Sequence, residues 1–312
     1  MRVLVCGTNY GRFYLEALRL GAADFRLVGL LARGSARSEV TAREYGVPLF
    51  RTVAEVDPDV DLACAAMGYS GSEVVLGLLA RKIHVLCEHP QKPRSVQLAL
   101  DAAVSRGLCF HINGHFADLE AAAAFIRRAH EESVARPPSF FEVTATDRSL
   151  YAALDILGRV LGSFVPFHFE VTSQSAQSIV VQGVLGGVPV ALHIERRALD
   201  PPFPDGSPRY LVDHRITAGF PSGILTLLSM NGPVIWNANL NYRSDADEPL
   251  FTPLHEDRTL TRERLHQQRI AANLSAIVAM AKSIRERVVP PNQRPTYLLD
   301  VSRAWETLGN LF

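Results

Sequence analysis

The feature that most constrains the fold of this chain is the regular alternation of short apolar segments and amphipathic segments in its first 116 residues. Strands that are buried on both faces are apolar throughout, and the helices that cover them carry one apolar face. The alternation therefore predicts a doubly wound parallel sheet. The predicted strands span residues 2–6, 25–31, 62–66, 83–87 and 108–112, and the predicted helices span residues 12–20, 38–45, 73–81 and 96–105.

After residue 116 the pattern changes to segments with a two-residue period that follow one another without helices between them. This succession, with a hairpin signal at Gly186-Gly187, predicts an open, mostly antiparallel sheet. We therefore predict an α/β protein with an N-terminal Rossmann domain over residues 1–116 and a C-terminal α+β domain over residues 117–312. The predicted strands span residues 140–146, 167–173, 179–184, 188–196, 210–219 and 224–230, the predicted helices span residues 118–132, 150–161, 261–288 and 301–311, and residues 199–208 are predicted as a loop.

Composition argues against several classes of partner. The 312 residues include 32 Lys+Arg and 32 Asp+Glu without a basic block, so nucleic acid and membranes are not expected as partners. No apolar stretch approaches the roughly 20 residues of a membrane-spanning helix, and the N-terminus enters a strand without the features of a signal peptide. The four cysteines show neither CxxC nor Cys/His spacing, so we predict no metal site and a cytoplasmic, reducing location.

A glycine-bearing turn separates the first predicted strand from the first predicted helix. The backbone N–H groups of such a turn, together with the helix N-terminus, bind a pyrophosphate. Compared with the G-x-G-x-x-G fingerprint, Asn9 replaces the second glycine as a residue that tolerates positive φ, and Gly11 falls one residue early. The position in the first βαβ unit favours a dinucleotide site over a purely structural turn. The residues predicted to bind the cofactor here are Gly7, Thr8, Asn9, Tyr10, Gly11 and Arg12.

The segment after the second predicted strand indicates which dinucleotide is bound. An NAD-specific site places Asp or Glu about 20 residues after the turn, where it holds the ribose 2′-hydroxyl. Residues 32–38 contain two arginines, two serines and no carboxylate, which suits a 2′-phosphate and favours NADP over a merely solvated loop. The predicted ligands are Arg33, Gly34, Ser35, Arg37 and Ser38.

Three loops follow the later strands, at the sheet edge where a nicotinamide ring would lie. Gly68 and Ser70 lie in the first loop, Glu88 and His89 in the second, and His115 in the third. We predict that Gly68, Ser70 and Glu88 contact the cofactor. Because an imidazole ionises near neutral pH, His89 and His115 are the predicted catalytic groups, although a structural role stays open for His115.

The strand, the glycine turn, the Glu-x-Pro segment and the appended sheet domain resemble the glucose–fructose oxidoreductase, inositol dehydrogenase and rhizopine-catabolism (Gfo/Idh/MocA) superfamily. Its sugar dehydrogenases carry Glu-Lys-Pro where this chain has Glu88-His89-Pro90. They also carry a D-x-x-x-H motif in the second domain, where this chain has Asp155 and Arg159. Both differences remove groups that handle a sugar hydroxyl.

A narrower resemblance is to the thiazolinyl imide reductases of siderophore assembly lines, and it is carried by residues 5–18, 31–35, 84–90, 154–157 and 232–237. It implies NADPH-dependent reduction of a thiazoline C=N bond to a thiazolidine, on a substrate tethered to a carrier domain of a nonribosomal peptide synthetase. His89 would be the leading proton donor, with His115 or a water as alternatives, because the family's tyrosine after the sixth strand corresponds to His115-Phe116 here. Asp155 would orient His89 or contact the ring, or would act only as a carboxylate at a helix N-terminus.

Two other functions stay open on the sequence: an NAD(P)-dependent sugar or polyol dehydrogenase of the superfamily, and a non-catalytic regulator that senses a dinucleotide. The open antiparallel sheet also leaves one face to be covered, from which we predict a homodimer. The apolar residues predicted to supply that interface are Ile179, Val181, Ile194, Leu225 and Leu227.

Overall fold

The structure is a computed structural model that describes residues 1–196, 198–199, 209–239, 249–257 and 259–311. The segment predicted as a loop, residues 199–208, lies outside the described residues apart from Leu199. Within the described part of the chain, no helix combines the length and the apolar character needed to cross a bilayer.

The first sheet has six parallel strands in the order β3-β2-β1-β4-β5-β6, which is the doubly wound arrangement. The sequence prediction of this sheet is confirmed, and β3 is a two-residue strand that the apolar pattern does not resolve. The strands are β1 (Arg2–Cys6), β2 (Arg26–Leu31), β3 (Leu49–Phe50), β4 (Leu62–Ala65), β5 (His84–Glu88) and β6 (Phe110–Asn113), and the helices between them are α1 (Gly11–Leu20), α2 (Ala36–Glu44), α3 (Ser72–Ala80) and α4 (Pro93–Val104).

The second sheet has eight strands in the order β16-β15-β14-β13-β7-β10-β9-β8. It is antiparallel except where β7 runs parallel to β10, which confirms the predicted mostly antiparallel sheet. Its strands are β7 (Phe140–Thr146), β8 (Phe167–Gln174), β9 (Ser178–Leu185), β10 (Val188–Glu195), β13 (His214–Phe220), β14 (Gly223–Leu227), β15 (Val234–Ala238) and β16 (Phe251–His255), and a separate two-stranded ribbon joins β11 (Ala198–Leu199) to β12 (Arg209–Tyr210). The remaining helices are α5 (Glu120–Ser133), α6 (Leu150–Leu161), α7 (Arg262–Glu286) and α8 (Pro295–Gly309).

The chain groups into two compact units, one of Met1–His115 with His266–Ser302 and one of Phe116–Leu265 with Arg303–Phe312. Most of α7 therefore belongs to the unit of the first sheet. Its Ile277 and Met280 are fully buried in one apolar cluster with Val3, a β1 residue. The assignment of residues 1–116 and 117–312 to two domains stays a prediction, since compactness alone does not define a domain.

The residues predicted to form the dimer interface face the wrong side of the second sheet. Ile179, Val181, Ile194, Leu225 and Leu227 are each fully buried within a single chain. Successive side chains of a strand point to opposite faces, so the apolar set that looked like an interface is the core face of this sheet. These five residues are therefore unavailable to a second copy, and that part of the prediction is wrong.

Two adjacent leucines give a direct test of this correction. Leu227→Ala should lower the free energy of unfolding by about 2–5 kcal/mol, because the leucine is fully buried. Leu228→Ala, at a side chain that is 43% exposed, should lower it by less than about 1 kcal/mol. Urea unfolding followed by circular dichroism measures both. Equal losses for the two variants would contradict the assignment of Leu227 to the core.

Candidate active site

The turn after β1 can pack closely against the end of β4 because Gly7 has no side chain. Its φ is +85°, and a Cβ at this position would lie 2.3 Å from the carbonyl oxygen of Ala66. The Gly7 N–H donates to the carbonyl oxygen of Leu31 at 2.9 Å, which ties the turn to the end of β2 as well. Only glycine combines this φ with this close approach.

Gly11 allows α1 to begin close to the sheet, since a Cβ there would lie 3.1 Å from Cγ1 of Val5. This is the helix–strand packing role of the last glycine in the usual fingerprint. Asn9 does not have the positive φ that the sequence analysis gave it, because Lys82 and Arg287 are the two non-glycine residues with positive φ in the described chain. The left-handed step is made by Gly7, so the turn does not require it at Asn9.

The N-terminus of α1 offers its N–H groups to a ligand. No side chain caps the helix at Tyr10, and the first turn holds no acidic residue but does hold Arg12. Unsatisfied N–H groups and the positive end of the helix dipole favour an anion. The residues present therefore fit the pyrophosphate of a dinucleotide.

The loop between β2 and α2 separates the predicted phosphate ligands into two kinds. Ser38 is buried, and its hydroxyl donates to the Ser35 carbonyl oxygen at 2.7 Å while its N–H donates to Ser35 Oγ at 3.4 Å. These two serines thus form the cap of α2. Arg33 and Arg37 are exposed beside them. Sequence reasoning missed Arg51, which packs against Gly34, because it follows the unpredicted strand β3.

The ends of β4 and β5 hold a partly buried carboxyl group. Glu88 is the last residue of β5 and accepts a hydrogen bond from the backbone N–H of Gly68, whose φ is +57°. Burial raises the pKa of Glu88 to about 7, against the opposing effect of that hydrogen bond. The backbone of Ser70 lies in the 3-10 turn Gly68–Gly71, and its side chain is outside the described part of the structure.

Both predicted catalytic histidines lie at this edge and contact each other. The rings of His89 and His115 are stacked with their centroids 5.6 Å apart and their planes at 29°. The ring of His115 also contacts the ring of Tyr10, and the centroids of these two rings are 5.2 Å apart. His89 is 9% exposed, and it precedes Pro90 through a cis peptide bond. The structure thus brings Tyr10, His115 and His89 together from three separate loops.

A buried amide network holds this row of rings in place. Asn273, on α7, donates through Nδ2 to the Tyr10 hydroxyl at 3.0 Å and to the Arg269 carbonyl oxygen at 2.8 Å. Asn113, at the end of β6, donates through Nδ2 to Asn273 Oδ1 at 2.7 Å and to the Tyr14 hydroxyl at 2.8 Å. Burial raises the pKa of both tyrosines above its ordinary value, so their hydroxyl groups stay neutral. Sequence reasoning missed Asn273, because it lies about 160 residues beyond β6.

Asp155 lies in the middle of α6 rather than at a helix N-terminus, so that structural alternative is wrong. Its Oδ2 lies 3.0 Å from Nη2 of Arg159, and Nη1 of the same guanidinium lies 2.6 Å from Oδ1 of Asp118. Arg159 therefore bridges two carboxylates in the second unit. The position that holds histidine in the sugar dehydrogenases is occupied here by a paired cation.

Glu88 predicts a pH dependence of stability. Its pKa rises from 4.5 to about 7 on folding, so between these values the folded chain keeps a proton that the unfolded chain has lost. Stability conferred by the neutral carboxyl is therefore lost as pH rises through this window. Glu88→Gln should gain stability relative to the wild type by up to about 1.4 kcal/mol per pH unit between about pH 5 and 7.

Urea unfolding of the ligand-free protein at several pH values measures this gain. Glu44→Gln is the matched control, because Glu44 is an exposed carboxylate on α2. Its difference from the wild type should not vary over the same window. A Glu88→Gln difference that is equally flat would show that Glu88 ionises at its ordinary pKa.

Comparisons with known proteins separate the two halves of the chain. Residues 1–114 match the family model described as oxidoreductase family, NAD-binding Rossmann fold (GFO_IDH_MocA). Residues 136–237 match the model described as thiazolinyl imine reductase Irp3-like, C-terminal. A comparison with curated proteins gives no match.

Solved structures share the fold over the whole chain at low sequence identity. A dehydrogenase from Chromobacterium violaceum is 13% identical with a TM-score of 0.75, covering 100% of this chain and 95% of its own. The UDP-N-acetylglucosamine 3-dehydrogenase GnnA from Acidithiobacillus ferrooxidans is 16% identical with a TM-score of 0.73, covering 98% and 96%. GenD2 from gentamicin A biosynthesis, solved in complex with NAD, is 16% identical with a TM-score of 0.69, covering 98% and 92%. At these identities the likeness shows the fold alone.

Proposed function

This chain joins a Gfo/Idh/MocA NAD-binding Rossmann domain to an Irp3-like thiazolinyl imine reductase C-terminal domain, and we propose that it reduces a thiazoline C=N bond to a thiazolidine with NADPH. The substrate is an intermediate tethered to the carrier domain of a nonribosomal peptide synthetase, in the synthesis of a siderophore-type product. The observation that carries the proposal is the stacked pair His89 and His115 at the carboxyl edge of β5 and β6.

The cofactor part of the proposal rests on two features of the first unit. The open N-terminus of α1 and the turn at Gly7 suit a pyrophosphate, and Arg33 and Arg37 suit a 2′-phosphate in a loop that has no carboxylate between residues 32 and 38. Bound NADPH supplies the hydride. Glu88 and Gly68 lie at the strand ends where the nicotinamide half of a dinucleotide is held in this fold.

The proton part of the proposal assigns a role to the two imidazoles. As hydride adds to the C=N carbon, the π electron pair moves to nitrogen, which forms a new N–H bond. An imidazolium is a suitable donor because the ordinary pKa of histidine lies close to the working pH. His89 is the proposed proton donor. His115, which is stacked beside it, either fixes the position of the His89 ring or returns a proton to it after each turnover.

The structure gives a reason to rank a sugar or polyol dehydrogenase second. Oxidation of an alcohol needs a base that accepts the hydroxyl proton, and the D-x-x-x-H pattern ends in Arg159 in this chain. A guanidinium remains protonated, and this one is already bonded to Asp155 and Asp118. Asp155, given a catalytic role on the sequence, is thereby engaged by Arg159 within α6.

A substrate panel tests the proposed reaction. The absorbance at 340 nm reports NADPH oxidation in the presence of a carrier-tethered thiazoline or a free thiazoline thioester analogue. The same absorbance reports NADP⁺ reduction in the presence of a set of free polyols. We expect turnover of the tethered thiazoline. Turnover of a polyol but not of either thiazoline would identify a dehydrogenase, and tight NADPH binding without any turnover would identify a dinucleotide-sensing regulator.

His89→Asn tests the proposed proton donor. It should lower kcat for thiazoline reduction by about 10²- to 10⁴-fold, because a positioned general acid contributes that much, and should leave the Kd of NADPH within about twofold. His115→Asn should give a smaller loss if His115 only positions His89. His168→Asn is the control, since His168 is an exposed residue of β8. A kcat for His89→Asn equal to that of the control would remove His89 from the proton path.

We further propose a homodimer and a cytoplasmic location. Because the five predicted interface residues are buried, a second copy would have to cover the opposite face of the second sheet. That face carries residues such as Val180, Ala191 and Ile235. A cytoplasmic location accords with the four cysteines, all of them free thiols. Light scattering at micromolar concentration tests the dimer, and a monomeric mass would contradict it.

A further inference from the structure

Arg51 lies at the carboxyl edge of the first sheet, one strand beyond the loop predicted to bind the 2′-phosphate. It directly follows β3, which pairs in parallel with β2 so that Leu31 is opposite Phe50. The Ala32 N–H donates to the Phe50 carbonyl oxygen at 3.0 Å, which carries this register into the loop. The Arg51 N–H donates to the Glu55 carboxylate at 2.8 Å, so the backbone at Arg51 is fixed as well.

The side chain of Arg51 covers Gly34. A Cβ built at Gly34 would lie 3.0 Å from Nε and 3.1 Å from Cζ of Arg51, and Gly34 has a φ of +81°. The guanidinium therefore lies over a stretch of bare backbone between Arg33 and Ser35. A side chain at position 34 would have to displace it, so this loop provides a surface on which a planar cation rests.

The charge partner of Arg51 is weakly held. Nη2 of Arg51 lies 3.2 Å from Oε1 of Glu39, and the two side chains are 63% and 47% exposed. Glu39 is the one carboxylate between residues 32 and 40. An exposed ion pair of this kind contributes little, and a phosphate dianion that accepts two N–H groups from one guanidinium would compete well with it.

We propose that Arg51 binds the 2′-phosphate of NADP(H) together with Arg33 and Arg37, and that it is a determinant of selectivity for NADP(H) over NAD(H). The inference rests on the proposed use of NADPH. In the doubly wound fold the adenosine ribose lies at the end of β2, which is the strand that β3 and Arg51 flank. Three arginines then surround a dianion, and Arg51 also offsets the negative charge of Glu39 beside it.

Direct binding of NADPH and NADH by calorimetry tests the role of Arg51 without any imine substrate. Arg51→Gln should raise the Kd of NADPH by about tenfold to a hundredfold, which is the usual effect of losing a hydrogen bond to a charged group. It should change the Kd of NADH by less than about twofold. Arg51→Lys should lose less than Arg51→Gln, because it keeps the charge but not the planar fork. Arg26→Gln is the control for net charge, since Arg26 is exposed at the opposite, amino end of β2.

A second pair of variants separates contact from charge neutralisation. Glu39→Gln alone should leave NADPH affinity unchanged or raise it, and Arg51→Gln combined with Glu39→Gln should keep the loss of Arg51→Gln. Recovery of wild-type NADPH affinity in the double variant would contradict the proposed contact between Arg51 and the 2′-phosphate. A loss no larger than that of Arg26→Gln would overturn any role of Arg51, while the wild-type preference for NADPH would stand. A wild type that binds NADH as well as NADPH would instead overturn the proposed cofactor, and with it this inference.

Discussion

The candidate site at the carboxyl edge of the first sheet depends on the contact between Gly7 and the carbonyl oxygen of Ala66. A single Cβ at Gly7 would occupy the space of that oxygen, and the φ of +85° is open to glycine at little cost. Because the turn can lie this close to β4, α1 starts at Gly11 directly above the sheet, with its N-terminus open. Tyr10, the residue between turn and helix, is thereby carried to the ends of β5 and β6, where its ring meets that of His115.

The second condition at this edge is low polarity combined with a network of side-chain amides that hydrogen-bond to one another and to the tyrosines. Asn273 has no solvent exposure and uses its amide to hold Tyr10 and Asn113, so α7 fixes the residue that precedes α1 and the last residue of β6 at once. The same burial raises the pKa of Glu88 to about 7. With this pKa the carboxyl group is about half ionised at neutral pH, so it places less than a full negative charge at this edge of the sheet.

The sequence allowed the architecture and most of the candidate site to be predicted, because both depend on local patterns. Apolar strands and glycine turns are local signals, and the carboxyl ends of parallel strands share one edge, which brought His89 and His115 together correctly. Asn273 was out of reach because its partners lie on elements distant in sequence. Arg51 was missed because two residues, Leu49–Phe50, are too few to show a strand period. The interface residues were placed on the wrong face because alternation gives the period of a strand but not which phase the helices cover.

The residues that differ from the sugar-dehydrogenase pattern alter the proton chemistry in a consistent direction. Alcohol oxidation releases a proton, so its site needs a neutral base beside the carbon that loses hydride. In this chain Arg159 stands where that pattern has a histidine, and its guanidinium pairs with two carboxylates. A charged guanidinium cannot accept a proton. After β5, His89 stands where the sugar-dehydrogenase pattern has a lysine, and we propose it as the proton donor because an imidazole ionises nearer to neutral pH than an ammonium group does. In the proposed reaction, one replacement removes a base and the other supplies an acid, which is the combination that reduction of a C=N bond requires, because its nitrogen must gain a proton as its carbon gains hydride.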